Sequence, residues 1–152
     1  MKNIVLIILL ISFVHLSAQD SEDGAVQKTI ETFFKGFHAQ DSIIMRSTIG
    51  ESPVVQRIGE NKDGEMVLRH QDLDQLIKSI VSIPDSVNFQ EKIKSYSIQI
   101  DGAMASAWTP YEFWINDTFS HCGVNSFQLF NDGSGWKIIY LIDTGRKEDC
   151  VQ

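Results

Sequence analysis

Only two cysteines and three prolines occur in 152 residues. Two cysteines allow one disulfide at most, so the chain is not a small scaffold held by several bridges. The four histidines show no H-x₃₋₅-H spacing, and His15 falls in the first apolar run, so no metal site is expected. No G-x-S-x-G elbow and no glycine-rich phosphate loop appears, and no cofactor is expected. Positive charge is scarce: 13 Lys and Arg face 20 Asp and Glu, for a net charge of −7. That balance excludes a binder built to neutralise nucleic-acid phosphates. No repeat of 20–50 residues is present, so a solenoid is excluded.

What is present fits one folded domain. The first 18 residues read as a signal peptide. Met1-Lys2-Asn3 is a short basic start, Ile4 to Ile11 is aliphatic throughout, and Phe13, Val14 and Leu16 extend it before Ser17-Ala18-Gln19. The run is shorter than the roughly 20 residues of a membrane span. A retained anchor is the alternative. Cleavage between Ala18 and Gln19 leaves a domain over 19–152, periplasmic or secreted, with no stable membrane insertion and a charge one unit more negative through loss of Lys2.

Val26, Ile30, Phe33, Phe34 and Phe37 form one stripe on a helix over about 23–39. Asp41-Ser42 starts a second helix through Ile49, which Pro53 ends. Val54–Ile58 and Met66–His70 flank a polar turn and read as a hairpin, and 72–83 is a third helix before Pro84. From Lys92 the period becomes two. Strands over 93–100, 104–115, 119–130 and 136–143 are separated by Asp101-Gly102, Asn116-Asp117 and Asn131–Gly135. The expected class is α+β: three N-terminal helices packed on a strongly curved, mainly antiparallel sheet of about six strands.

A two-residue turn at Asn116-Asp117 pairs Tyr111 with Cys122 and Glu112 with His121. A five-residue turn at Asn131–Gly135 pairs Phe130 with Trp136 and Ser126 with Tyr140. One face then carries Ala103, Ala105, Ala107, Thr109, Tyr111, Phe113, Val124, Ser126, Gln128, Phe130, Trp136 and Ile138. Its alanines leave room for a helix. The other face carries Trp108, Pro110, Glu112, Trp114, His121, Asn125 and Phe127. It is too apolar for a monomer surface, so a homodimer through this outer face is expected. Cover by the C-terminal tail or the early hairpin is the alternative. A slip of one residue would exchange the faces of a strand.

The order helix, helix, hairpin, helix, long meander, ending in Gly135-Trp136-Lys137-Ile138, resembles the nuclear transport factor 2-like superfamily. This cone-shaped fold includes SnoaL-like polyketide cyclases, ketosteroid isomerases, scytalone dehydratase and the lumazine-binding-like proteins. The segments Met104–Phe113 and Ser120–Asn125 resemble a secreted, uncharacterised branch from Bacteroidetes-type bacteria. The resemblance covers about residues 23–150. It implies a fold and not a function, because that scaffold carries enzymes, binding modules and assembly domains alike.

Compared with the isomerases, the position of their helix tyrosine holds Phe33, that of their general-base aspartate falls at Gln56-Arg57, and that of their protonated strand acid matches Ser126. Proton abstraction beside a carbonyl needs a base and an oxyanion donor, so no catalytic residue is assigned and the enzyme reading weakens. The resemblance implies a cone, and its expected lining is Phe33, Phe37, Gln56, Thr109, Tyr111, Phe113, Ser126, Gln128 and Asp143. Aromatic walls with a few polar groups suit a small apolar ligand. Core filling is the plainer reading of the same aromatics.

The leading expectation is an exported cone-fold protein that binds a small apolar ligand or acts as a dimeric interaction module, without catalysis. The rival is a cyclase, dehydratase or isomerase using Tyr111, Asp143 or His121. Glu112 and His121, as cross-strand neighbours, are the alternative acid–base pair, with an ion pair as the plainer reading. His38 is expected to cap the first helix as a cation, and Asp143 to pair with Arg146. Two cysteines in an exported chain suggest a Cys122–Cys150 disulfide, with free thiols as the alternative. It would close a loop of about 29 residues and stabilise by roughly 3–4 kcal/mol in the chain-entropy model.

Overall fold

The computed structural model describes residues 22–150. The expected signal segment and its cleavage site lie outside the described residues. A helix over 22–38, α1, carries the apolar stripe inward: Val26 and Ile30 are fully buried, and Phe33 and Phe34 nearly so. After a short turn comes α2 (Ser42–Ser47), capped by Asp41, whose carboxylate accepts from the N–H groups of Ile43 and Ile44. Gly36 lets the two helices meet, since a Cβ there would lie 2.7 Å from the Met45 nitrogen.

Seven strands follow: β1 (Ile49–Glu60), β2 (Met66–Gln71), β3 (Phe89–Ile93), β4 (Ser97–Asp101), β5 (Met104–Ile115), β6 (Thr118–Asn131) and β7 (Trp136–Thr144). The third helix, α3 (Leu73–Val81), separates β2 from β3 and is capped by Asp72. The sheet runs β2-β1-β7-β6-β5-β3, with β4 beside the other half of β5. All pairs are antiparallel except β1 with β7, which is parallel. This is the expected α+β architecture.

Three local expectations are corrected. The second helix ends at Ser47, well before Pro53, and the chain is already a strand at Ile49. Pro53 sits inside β1, where the register with β7 shifts between Ile49 and Val54 and where β2 has not yet joined. A residue without an N–H is tolerated at such an irregular edge. The single strand expected over 93–100 is interrupted: Ile93 is the last residue of β3, β4 starts at Ser97, and between them the Lys94 N–H donates to the Pro110 carbonyl.

The third correction decides the site. The Asn116-Asp117 turn has two residues, both with positive φ (47° and 61°), as the tight hairpin requires. Ile115 pairs with Thr118 and Trp114 with Phe119, but Phe113 then pairs with His121. Ser120 is the extra residue of a bulge, and one extra residue exchanges the faces of everything beyond it. Tyr111 therefore faces Gly123 rather than Cys122, and Glu112 faces Cys122 rather than His121. On the β7 side, Asn131 rather than Phe130 pairs with Trp136, and Gln128 rather than Ser126 pairs with Tyr140.

The inner face of β6 is thus Asn125, Phe127 and Leu129. Phe127 and Leu129 are fully buried, and the Phe127 ring meets the edge of Phe34 at 6.2 Å between centroids. Ala105 and Ala107 lie opposite Leu129 and Phe127 within the same core. Burial of each large apolar side chain contributes roughly 1.5–3 kcal/mol. Ser126, Gln128 and Phe130 point to the outer face with Trp108 and Met104, and Phe130 is 46% exposed.

Candidate functional site

Between the helices and the inner sheet face lies a cavity of about 240 Å³. Phe33, Phe34 and Phe37 from α1 and Phe113 from β5 wall it, with Leu76 and Ile80 of α3 on another side. Phe33 and Phe37 stack at 6.5 Å, and Phe37 meets Phe113 at 6.4 Å. The helical stripe supplies the first three rings, and strand parity supplies the fourth.

The polar end comes from sheet register. Arg57 on β1 is the parallel partner of Asp143 on β7, Asp143 is the partner of Asn125 on β6, and Asn125 is the partner of Thr109 on β5. One cross-strand row therefore brings four polar residues onto the inner face. A second row, Glu91–Phe113–His121, brings Glu91 from β3 and His121 from β6.

Within this end Arg57 Nη1 lies 2.8 Å from Asp143 Oδ2. The Tyr111 hydroxyl donates to the Thr144 carbonyl at 2.8 Å and reaches Asp143 Oδ2 at 3.3 Å. Asn125 Nδ2 donates to Glu91 Oε1 at 2.7 Å. His121 stacks on Phe113 at 4.9 Å, with its Nε2 3.5 Å from Arg57 Nη2 and its Nδ1 3.1 Å from Ser120 Oγ. Close backbone approach holds the strand ends together. A Cβ at Gly123 would overlap the Thr144 carbonyl oxygen, and one at Gly145 would overlap the Arg57 guanidinium.

Burial dominates the electrostatics. It raises the Glu91 carboxyl to about 8, against the Asn125 hydrogen bond; Asp143 adds to the rise and Arg57 opposes it. Glu91 is therefore largely protonated near neutral pH. Burial also raises Asp143, with Arg57 and the Tyr111 hydroxyl pulling the other way. Burial and then the Arg57 charge lower His121, so its ring is neutral. Burial and the carboxylates of Asp143 and Glu91 push the Tyr111 phenol up.

Of the expected lining, Phe33, Phe37, Phe113 and Asp143 border the cavity. Thr109 and Tyr111 share the inner face but are enclosed behind it, at 0% and 2% exposure. Gln56 points the other way, because its neighbour Arg57 takes the inward position. Its amide accepts from the Tyr140 hydroxyl and reaches His70. Ser126 and Gln128 are excluded by the bulge, and the inward position beside Ser126, the residue matched to the isomerases' strand acid, holds Asn125. The Glu112–His121 pair does not form: Glu112 bonds Lys94 at 3.0 Å and the Trp114 indole at 3.1 Å on the opposite face. Asp143 pairs with Arg57, while Arg146 donates to the Asp149 carbonyl. His38 is no cationic cap. Burial lowers its pKa, and its Nε2 accepts from the Glu91 N–H at 2.9 Å.

The sequence reading missed Glu91, Asn125 and Phe34 as lining residues, and it met Arg57 only as an isomerase mismatch. An acid on the same strand face as Phe89 and Ile93, between the outward Gln90 and Lys92, is the available sign for Glu91. Cys122 and Cys150 are joined by a disulfide with Cα atoms 5.8 Å apart. Among the described residues no group of three or more metal-ligating side chains occurs.

No family model matches the sequence, and no curated protein does. Solved structures do. An NTF2-like protein of unknown function from Shewanella baltica aligns with a TM-score of 0.63 at 17% identity, over 84% of this chain and 96% of that one. An NTF2-like protein with a cystatin-like fold from Novosphingobium aromaticivorans aligns at 0.69 and 9% identity, over 92% of each chain. An NTF2-like protein from Cytophaga hutchinsonii aligns at 0.61 and 12%, over 80% and 95%. At these identities the likeness establishes the fold, which is the nuclear transport factor 2-like one.

Proposed function

We propose that the chain binds a small, mostly apolar molecule in the cavity between α1, α3 and the inner sheet face, without catalysis. The cavity itself carries this reading: about 240 Å³, four phenylalanine walls, and polar groups gathered at one end. Small-molecule sites are built from such apolar walls with a few placed polar groups. The volume lies below the roughly 300–1,000 Å³ of drug-sized pockets, which suits a ligand of one or two rings. A thermal-shift panel of one- and two-ring compounds tests it. At saturation a fitting ligand raises the midpoint by several degrees through mass action. A panel that leaves the midpoint unmoved throughout counts against the reading.

A second reading is favoured by Glu91, a half-buried acid beside the cavity whose carboxyl is pushed up to about 8. As a general acid facing a bound ligand it suits cyclase, dehydratase or isomerase chemistry. Turnover of a bound compound that vanishes in Glu91→Gln while binding remains would move the assignment to an enzyme.

Export and self-association belong to the same proposal. The basic, apolar and small-residue order over 1–18 supports export, and the Cys122–Cys150 bond suits an oxidising compartment. Pairing of two copies through the outer face is supported by Met104, Trp108 and Phe130, which are 55%, 55% and 46% exposed. Phe127, counted toward that face in the sequence reading, belongs to the core.

A further inference from the structure

Glu91 and Asn125 approach from β3 and β6 and join through one hydrogen bond, Asn125 Nδ2 to Glu91 Oε1 at 2.7 Å. That bond uses one oxygen of the carboxyl and one N–H of the amide. Among the described residues, the second Glu91 oxygen and the Asn125 carbonyl oxygen have no side-chain or backbone partner. Neither is sealed away, because among the described residues the one enclosed side-chain polar atom without a partner is Thr109 Oγ1. Both residues line the cavity. A protonated carboxyl offers an O–H donor, and the amide carbonyl beside it offers an acceptor.

We infer that the cavity takes an uncharged ligand whose polar edge carries a carbonyl next to an N–H, a lactam or secondary amide, held between the Glu91 carboxyl and the Asn125 amide. The inference rests on the reading that the cavity binds a small molecule. The ligand carbonyl accepts from Glu91 and the ligand N–H donates to Asn125 Oδ1. The charge balance agrees. Arg57 and Asp143 neutralise each other at 2.8 Å. A charged ligand would therefore enter an apolar cavity without a free counter-charge.

Protonation of Glu91 links binding to pH. The groups facing it are His38 on α1, Arg57 on β1, Tyr111 on β5, Asn125 and His121 on β6, and Asp143 on β7. As pH rises past about 8, Glu91 becomes an anion, its donor is lost, and the ligand carbonyl meets a negative charge.

Three probes of matched shape test this by calorimetry on the full-length mature protein: 2-quinolinone (a lactam), 2-naphthoate (an anion) and naphthalene (no polar edge). At about pH 6.5, 2-quinolinone is expected to bind at least about tenfold tighter than the other two. At about pH 9 it should weaken by about tenfold, as the protonated fraction falls by that factor. Glu91→Gln cannot ionise, so its 2-quinolinone affinity, though reduced, should no longer vary with pH. Asn125→Ala should lose the preference for 2-quinolinone over naphthalene, and retained naphthalene binding shows that the variant is folded. Equal binding of 2-quinolinone and naphthalene, or tightest binding of 2-naphthoate, overturns the inference and leaves the binding cavity standing. Failure of all three probes overturns both.

Discussion

Arg57 and Asp143 are register partners on two parallel neighbouring strands, and their side chains meet at 2.8 Å at the polar end of the cavity. Asp143 is 13% exposed and Arg57 34%. Removing the arginine leaves a largely buried carboxylate held by the Tyr111 hydroxyl and its own backbone N–H. Arg57→Met should therefore destabilise by about 1–3 kcal/mol, below the usual cost of breaking a fully buried pair because the arginine keeps contact with water. Asp143→Asn in the same background should recover part of that loss, because the uncompensated charge is gone. Urea unfolding of the two single variants and the double variant measures the coupling. Strictly additive effects would show that the pair contributes nothing.

Glu91 should make stability fall with rising pH. Its carboxyl ionises at about 8 in the folded protein, against 4.5 in its unperturbed state. The folded state holds the proton more tightly, so the contribution is fully present below about 4.5 and is lost as pH rises to about 8. The loss is at most about 1.4 kcal/mol per pH unit across that window. Glu91→Gln removes the titration. The difference in unfolding free energy between variant and parent should move in favour of the variant between about pH 5 and pH 8. A difference that stays flat would mean that Glu91 is solvated and ionised throughout.

The Cys122–Cys150 bond ties residue 150 to β6 across a separation of 28 residues. Reduction, or Cys150→Ser, should lower stability by roughly 3–4 kcal/mol in the chain-entropy model. The tail from Gly145 packs against Arg57 and His121, so its release should also loosen the polar end of the cavity. Hydrogen exchange of residues 145–150 with and without reductant reads this directly. Protection unchanged by reduction would mean that packing alone holds the tail.

The outer face should support self-association. Trp108 is 55% exposed and sits between Met104 and Pro110 on β5. Trp108→Glu places a charge in the middle of that patch and should shift a dimer to monomer in light scattering, with the fold intact. An unmodified protein that scatters as a monomer at micromolar concentration removes the reason for pairing.

The fold was legible because its signals are periodic and local. The stripe from Val26 to Phe37, the caps at Asp41 and Asp72 and the two-residue turn at Asn116-Asp117 each mark an element by side-chain spacing or backbone need. The walls of the cavity followed from them, since Phe33, Phe37 and Phe113 lie on faces set by period alone. The polar end did not. It depends on the parity of β6, and a single bulge residue, Ser120, reverses that parity. Bulges lack a strong side-chain signature, so the sequence places Asn125 on the outer face and Ser126 in the cavity. Arg57 and Glu91 depend further on which strands become neighbours: the parallel β1–β7 pair joins residues 86 positions apart, as Arg57 and Asp143 show.

Native mass spectrometry of the protein, purified from its own host without denaturation, tests the binding cavity most directly. The expected spectrum shows the protein with one additional small mass per chain, released on denaturation, whose compound is uncharged and fits about 240 Å³. The same preparation of Leu141→Trp, which fills the cavity from β7, should fly without it. A parent protein that carries no ligand, or one that keeps the same ligand when the cavity is filled, contradicts the account.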